Sequence, residues 1–254
     1  MRKRNAKEAV VLKLVDHIRV DEPRVGTRKL YHHLLNGSSG SKKLTGRDAL
    51  FNLLRKTGRL VKQKKSFQKT TYSRHSYAVA PNRVKALEIT KTHQVVVSDC
   101  TYIRLGGREK FAYLFLVTDL YSRMIVGYHL SRDLTHYSAL IALDNAVKLL
   151  KNTDGIIHHS DRGCQYCCHE YLAFLEGHKM ISSMTDENHC YQNAVAERVN
   201  GILKDEFNLD ETFDTFEQAR LAITRTVMVY NTKRIHYSLE LRTPMEVFLK
   251  KAAG

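Results

Sequence analysis

Apolar residues recur three and four apart at Val10, Val11, Leu14, Val15 and Ile18, which predicts an amphipathic helix over about residues 6–19. Asp21-Glu22-Pro23 stops it, because the residue before a proline is pushed out of the helical region. Thr27 to Leu35 reads as a second short helix with Leu30, Leu34 and Leu35 on its apolar side. The loop Asn36-Gly37-Ser38-Ser39-Gly40 follows. Thr45 is placed as an N-cap with Asp48 at the third helical position, ahead of Leu50, Phe51, Leu53 and Leu54, and Gly58 ends that helix.

From Gln94 the period shortens. Val95-Val96-Val97-Ser98-Asp99 opens a strand that runs through Ile103, Gly106-Gly107 is a hairpin turn, and Phe111 to Val117 is a second strand. Met124 to Leu130 is a third, after the corner Asp119-Leu120-Tyr121-Ser122. A long helix over about Ser138–Lys151 carries Leu140, Leu143, Ala146, Val147 and Leu150 on one face. Strand (Ile156–Ser160), helix (Glu170–Gly177) and strand (Met180–Met184) then alternate, which implies parallel pairing. Three antiparallel strands joined to this alternation predict an α/β fold with a mixed sheet, in the ribonuclease-H-like order, which by itself does not separate that arrangement from other α/β folds.

Charge divides the chain differently. Residues 1–91 carry 23 Lys and Arg against 6 Asp and Glu, whereas residues 92–254 carry 18 against 20. A basic front on a near-neutral body predicts a polyanion-binding module attached to something with another task. The three front helices, with Arg24, Arg28, Lys29, Arg47, Arg55 and Lys56 on their polar faces, resemble a helix-turn-helix unit on double-stranded DNA. A small three-helix domain that binds a protein shows the same pattern. Residues 61–91, with Lys62, Lys64, Lys65, Lys69 and Arg74, read as an extended basic linker along phosphates. No stretch of 18 or more apolar residues occurs and no leader pattern is seen, so the chain reads as soluble and not exported. Its five cysteines lack the spacing of a disulfide framework, and a reducing cytoplasm is expected.

Three carboxylates stand out. Asp99 interrupts a nearly all-apolar strand, where a charge needs a compensating group. Asp161 lies just past the fourth strand, and by itself reads as a turn residue. Glu197 lies on a helix over Asn193–Phe207, on the side opposite Val195, Val199, Ile202 and Leu203, and by itself reads as a solvated position. Together, two carboxylates from a sheet and one from a helix make the stronger reading a metal site. Such a set can hold two Mg²⁺ ions for attack on a phosphodiester.

Several blocks carry a family resemblance: Val97-Ser98-Asp99-Cys100-Thr101-Tyr102-Ile103, Thr118-Asp119-Leu120-Tyr121-Ser122-Arg123 and His159-Ser160-Asp161-Arg162-Gly163-Cys164-Gln165-Tyr166. Tyr191-Gln192-Asn193-Ala194-Val195-Ala196-Glu197-Arg198 and Tyr230-Asn231, Arg234, His236-Tyr237-Ser238-Leu239, Thr243-Pro244 continue it. These resemble the OrfB-type transposases of the insertion-sequence-three family, relatives of retroviral integrases. The 35 residues between Asp161 and Glu197 match that Asp-Asp-Glu group. The chain departs from the pattern at Val97, where the family has Trp, and at Arg234-Ile235-His236, where it has Arg-Pro-His.

The resemblance implies that Asp99, Asp161 and Glu197 are the catalytic metal ligands, with two Mg²⁺ ions for which Mn²⁺ substitutes. It further implies cleavage at element ends followed by attack of the freed 3′-OH on DNA, a homodimer or higher oligomer on DNA, and an upstream-frame (OrfA-type) partner. The expected domains are a helix-turn-helix region over 1–60, the basic linker over 61–91, the integrase catalytic core over 92–210 and a helical extension over 211–254. Rival readings are a structure-selective nuclease without strand transfer and a non-catalytic DNA-binding regulator.

Weaker signals are weighed beside these. Cys164-x-x-Cys167, with Cys168, His169, His158 and His159 nearby, reads as packing rather than zinc. Lys204 either reaches a phosphate or is solvated, and Asn193 either orients the site or caps its helix. Asp119 is read as structural, while Arg234 and His236 are candidate DNA contacts.

Overall fold

A computed structural model describes residues 2–36, 45–61, 79–186 and 193–250. The chain separates into two units, Met1–Phe67 with Asp205–Asn208, and Gln68–Lys204 with Leu209–Gly254.

The first unit contains α1 (Arg2–Asp21), α2 (Thr27–Asn36) and α3 (Arg47–Lys56). Val11, Val15, Val25, Leu30, Leu34, Leu50, Leu53 and Leu54 form its core. The apolar spacing thus located all three helices. The cap of α3 differs from expectation: Gly46 is the N-cap and no side chain bonds there, since the Thr45 hydroxyl turns to the Gly46 carbonyl instead. Lys62, Lys64, Lys65, Lys69 and Arg74 of the expected linker, and the Gly37–Gly40 loop, lie outside the described residues.

The second unit is built on a mixed six-stranded sheet in the order β3-β2-β1-β4-β5, with β6 (Thr212–Phe213) also on β1. β1 (Val95–Leu105), β2 (Phe111–Asp119) and β3 (Ile125–Ser131) are the antiparallel meander. β4 (Ile157–Ser160) and β5 (Ile181–Met184) join in parallel. One face carries α4 (His136–Leu150), α5 (Cys164–Cys167) and α6 (His169–Gly177) over a core including Val96, Phe115, Val117, Val126, Leu143 and Tyr171. The other face buries Val95 and Val97 against Ala196 of α7 (Ala194–Phe207). The short α5 was not expected, because four residues are too few to show a helical period.

Two details explain sequence blocks that carry no chemistry. Gly127 lets α4 approach β3 so closely that a Cβ there would lie 2.2 Å from the Ala142 carbonyl oxygen and 2.7 Å from the Ala146 nitrogen. Asp119 is fully buried, accepting from Ser122 N–H at 2.7 Å, Ser122 Oγ at 2.6 Å and His93 N–H at 2.9 Å. It holds the corner between β2 and β3, in which Arg123 adopts φ 64°. From α8 (Phe216–Thr232), the Asn231 amide donates to the Ile125 carbonyl and accepts from its N–H, while the Tyr230 hydroxyl donates to the Arg123 carbonyl. Thr243 and Glu246 form a capping box on α9 (Pro244–Leu249).

Candidate active site

β4 pairs with β1 only as far as Ser98 beside Ser160, and β6 resumes at Arg104. Between these points no described strand covers that edge of β1. Asp99 and Asp161 are each the next residue after the last β1–β4 pair, so parallel register sets them side by side. The Glu197 charge acts on Asp99 from the first turn of α7, as does that of Asp161. Asp99 and Asp161 are therefore side by side at a break in the sheet edge, and Glu197, on α7, is near enough for its charge to act on Asp99. The three carboxylates do not close to within 4.8 Å of one another.

Burial, then the Asp161 charge, push the Asp99 carboxyl up to about 7, against hydrogen bonds from Cys100 N–H and Asn200 that favour its ionised form. Those bonds are 2.8 Å to Oδ1 and 2.7 Å to Oδ2. Asp161 Oδ1 accepts from Gly163 N–H at 2.9 Å, the turn bond that its position alone suggests, and it still faces Asp99. Glu197 is exposed. An all-oxygen donor set under mutual repulsion is chemistry that fits a hard divalent cation, which would relieve the repulsion.

α7 is held to β1 by polar groups that apolar periodicity does not register. Asn193 Nδ2 donates to the Ser98 carbonyl at 3.1 Å, and Asn200 Nδ2 to Asp99. Both asparagines are buried, and their Oδ1 atoms have no hydrogen-bond partner among the described residues. Asn200 was missed by sequence reasoning. The available signal was its place seven residues after Asn193 and three after Glu197, on one helix face. Lys204 continues that side. Burial lowers its pKa, and Asp99 counteracts by favouring its charged form. Behind the pair of aspartates lies Tyr166, fully buried, its hydroxyl without a hydrogen-bond partner among the described residues.

The expected DNA-contacting cations separate into distinct groups. Arg28, Arg47, Arg55 and Lys56 are exposed, with Arg55 stacked 4.6 Å over the Phe51 ring and Arg47 paired to Asp48. Arg24 is half-buried. Lys29 is corrected: its side chain is buried and its ammonium is 3.1 Å from Glu206 within the first unit, so it is spent on an internal ion pair. Arg234 and His236 are corrected for the same kind of reason. They are 2% and 7% exposed, and both pack on Tyr230, leaving no surface to offer a phosphate. Their block is a structural one.

The histidines and cysteines first considered for zinc are dispersed. His158 Nε2 lies 2.7 Å from the Ser98 hydroxyl and 2.9 Å from the Tyr171 hydroxyl, and His159 Nδ1 lies 2.9 Å from Ser183 Oγ. Cys167 Sγ lies 3.6 Å from Met184 Sδ, and Cys164 is exposed. Among the described residues no helix is long and apolar enough to cross a membrane.

Two integrase core domain models match the chain, over residues 89–190 and 178–244. The uncharacterized 31 kDa protein of insertion element IS600 from Shigella sonnei is 34% identical over 89% of this chain and 81% of its own length. Transposase InsF of insertion sequence IS3A from Escherichia coli K12 is 32% identical over 72% of this chain, and the match spans 64% of InsF. In structure, the chain is similar to the simian T-cell lymphotropic virus intasome at TM-score 0.56 and 13% identity, over 91% of this chain and 73% of that one. The HTLV-2 integrase catalytic core domain, solved in complex with magnesium, matches at TM-score 0.50 and 16% identity over 62% of this chain and 97% of its own. At these identities the structural likenesses establish the ribonuclease-H-like fold.

Proposed function

This chain belongs to the insertion-sequence-three family of transposases with an integrase core, and from that premise we propose that it cuts the ends of an insertion element and joins the freed 3′-OH to DNA. The observation that carries the proposal is the parallel register that sets Asp99 beside Asp161 at the uncovered edge of β1, with the Glu197 charge acting on Asp99. In this reading all three are catalytic and would hold two magnesium ions, with manganese as a substitute. When bound, the ions would activate the attacking oxygen and stabilise the leaving oxygen of a phosphodiester.

The remaining work falls to the protein's own groups. Asn200 and the Cys100 amide orient the Asp99 carboxylate, one hydrogen bond on each oxygen. The Gly163 amide does the same for Asp161, and Asn193 fixes the start of α7, the helix that carries Glu197. Lys204, beside Asp99, is placed to hold a DNA phosphate near the reacting one. Water and then a DNA 3′-OH serve as nucleophiles, so no covalent enzyme intermediate is required.

Residues 1–60 act as the helix-turn-helix region, with Arg24, Arg28, Arg47, Arg55 and Lys56 toward phosphates. The basic linker 61–91 lies along DNA through Lys62, Lys64 and Lys65. The core over 92–210 and its extension over 211–254 carry catalysis. Bringing two element ends together calls for a homodimer or larger assembly, and an OrfA-type protein is the proposed partner.

The test is strand cleavage of linear DNA carrying the element's terminal repeats in Mg²⁺, comparing wild type with Asp161→Asn and Glu197→Gln. Nicking at the terminus and joined products by wild type, with binding but no cutting by both variants, is the expected result. Cutting without joined products would make the protein a nuclease. Unchanged activity of Asp161→Asn would remove the metal-site reading altogether.

A further inference from the structure

A second cluster of metal-binding side chains lies on the helical face of the sheet. His136 is the first residue of α4, Cys168 is the N-cap of α6, and Glu170 lies in the first turn of α6. One ligand atom from each falls within 4.8 Å of the other two. They come from two helices that pack together over the same face of the sheet, with His136 32 residues before Cys168, so no spacing motif marks them. We propose that His136, Cys168 and Glu170 bind one zinc ion, at a site separate from Asp99, Asp161 and Glu197.

The donor set decides the class of ion. A thiolate, an imidazole and a carboxylate suit a borderline-soft cation, whereas the three catalytic carboxylates offer oxygen alone. Zinc bond lengths place tetrahedral ligands roughly 3.3–3.8 Å apart. Closing to that range needs a shift of at most about 1.0–1.5 Å from the present upper separation, and the exposed Glu170 side chain can move to supply it. Two negative ligands would balance the ion's charge.

Glu170 sits at the positive end of α6, where the helix dipole stabilises a carboxylate, while burial raises the Cys168 thiol, so the ion itself would have to displace the thiol proton. The His136 Nε2 atom is buried and makes no hydrogen bond within the described residues. Cys168 is 7% exposed, which shields a metal–sulfur bond from oxidants, while Glu170 leaves an entry path. With three protein ligands, water would complete the shell.

The site's place suggests its role. Asp161 and Cys168 are the two ends of one short segment that leaves β4, passes through α5 and enters α6. Zinc would fasten the far end of that segment to the start of α4, and so steady the turn that presents Asp161. This is a positioning role.

The experiment uses the full chain, stripped with chelator and titrated with Co²⁺, which reports sulfur ligation by a thiolate-to-metal charge-transfer band in the near ultraviolet. One equivalent should produce the band, and Zn²⁺ should abolish it by displacement. Cys168→Ser should lose it, and His136→Ala and the exposed, fold-neutral Glu170→Gln should weaken cobalt binding about 10-fold or more. Cys164→Ser and the doubly substituted Asp99→Asn/Asp161→Asn protein should keep it. The proposal is overturned if no sulfur band appears at one equivalent, if the band survives Cys168→Ser, or if it follows the catalytic aspartates.

Discussion

Replacing Asn200 by leucine separates a role in the metal site from a role in holding the fold. The Asn200 amide makes one hydrogen bond, 2.7 Å to Asp99 Oδ2, and keeps a second polar atom, Oδ1, buried without a partner among the described residues. A hydrogen bond to a charged group contributes about 1.5–3 kcal/mol, and an unsatisfied buried oxygen costs about 1–3 kcal/mol. Leucine, with the same branching and number of heavy atoms, removes both, so the two contributions nearly cancel and the metal-free protein should change stability by about 1 kcal/mol or less. Metal affinity has no such offset. Asp99 loses the donor that favours its charged, correctly turned form, and outer partners of this kind are worth about 10–100-fold in affinity. Titration with Mn²⁺, reading the free ion by electron paramagnetic resonance, gives the affinity; urea unfolding of the metal-free protein gives the stability. The expected pattern is a large loss in the first and almost none in the second. An affinity within twofold of wild type, or a parallel loss of both, would refute the argument that Asn200 serves the carboxylate.

Other consequences follow from single contacts. Gly127→Ala must push α4 off β3, because the new Cβ would meet backbone atoms of Ala142 and Ala146; a loss of about 1–3 kcal/mol or more of stability, read as a lower urea midpoint, is expected, and an unchanged midpoint would contradict the packing. Burial lowers the His158 imidazole from 6.5 to about 3, so between those pH values the unfolded chain binds a proton that the native one does not. Its contribution is present above pH 6.5 and is lost as pH falls toward 3, at about 1.4 kcal/mol per pH unit. His158→Gln should flatten the pH dependence of stability by about one proton, and an identical slope would count against a neutral buried imidazole. On DNA, Arg28→Ala and Arg55→Ala should each lower the salt slope of binding by about 1, whereas Arg234→Ala should leave that slope alone and reduce stability instead; the reverse pattern would undo the division made from their exposure.

What the sequence makes legible, and what it does not, follows from which forces leave a period. Alternation and helical spacing located the meander, the βαβ run and the three front helices, because burying apolar side chains imposes a repeat of 2 or 3.6 residues. Asp99 was visible for the complementary reason: a charge inside an apolar strand breaks the pattern. The basic front third was equally plain from charge. What an individual cation does there was not, since Arg55 and Lys29 look alike in sequence while one is exposed and the other meets Glu206. That distinction needs the other half of the pair, and its partner is 177 positions away.

The same limit explains why α7 was half understood. Counting Val195, Val199, Ile202 and Leu203 gives one buried side and leaves Glu197 on the open one, a placement the structure retains. Yet the helix buries a further side through Asn193, Ala196 and Asn200, against Ser98, Val95, Val97 and Asp99. Polar burial leaves no hydrophobic signal, although it is what aims the helix at the sheet. In an active site this is the expected place for sequence reasoning to stop, since carboxylates need neighbours that hydrogen-bond to them more than neighbours that exclude water. A search for Asn at the spacing of a candidate ligand's own helix face, four residues before and three after Glu197, would have found both anchors. It rests on the helix repeat and on the donors a carboxylate requires, and on nothing particular to this fold.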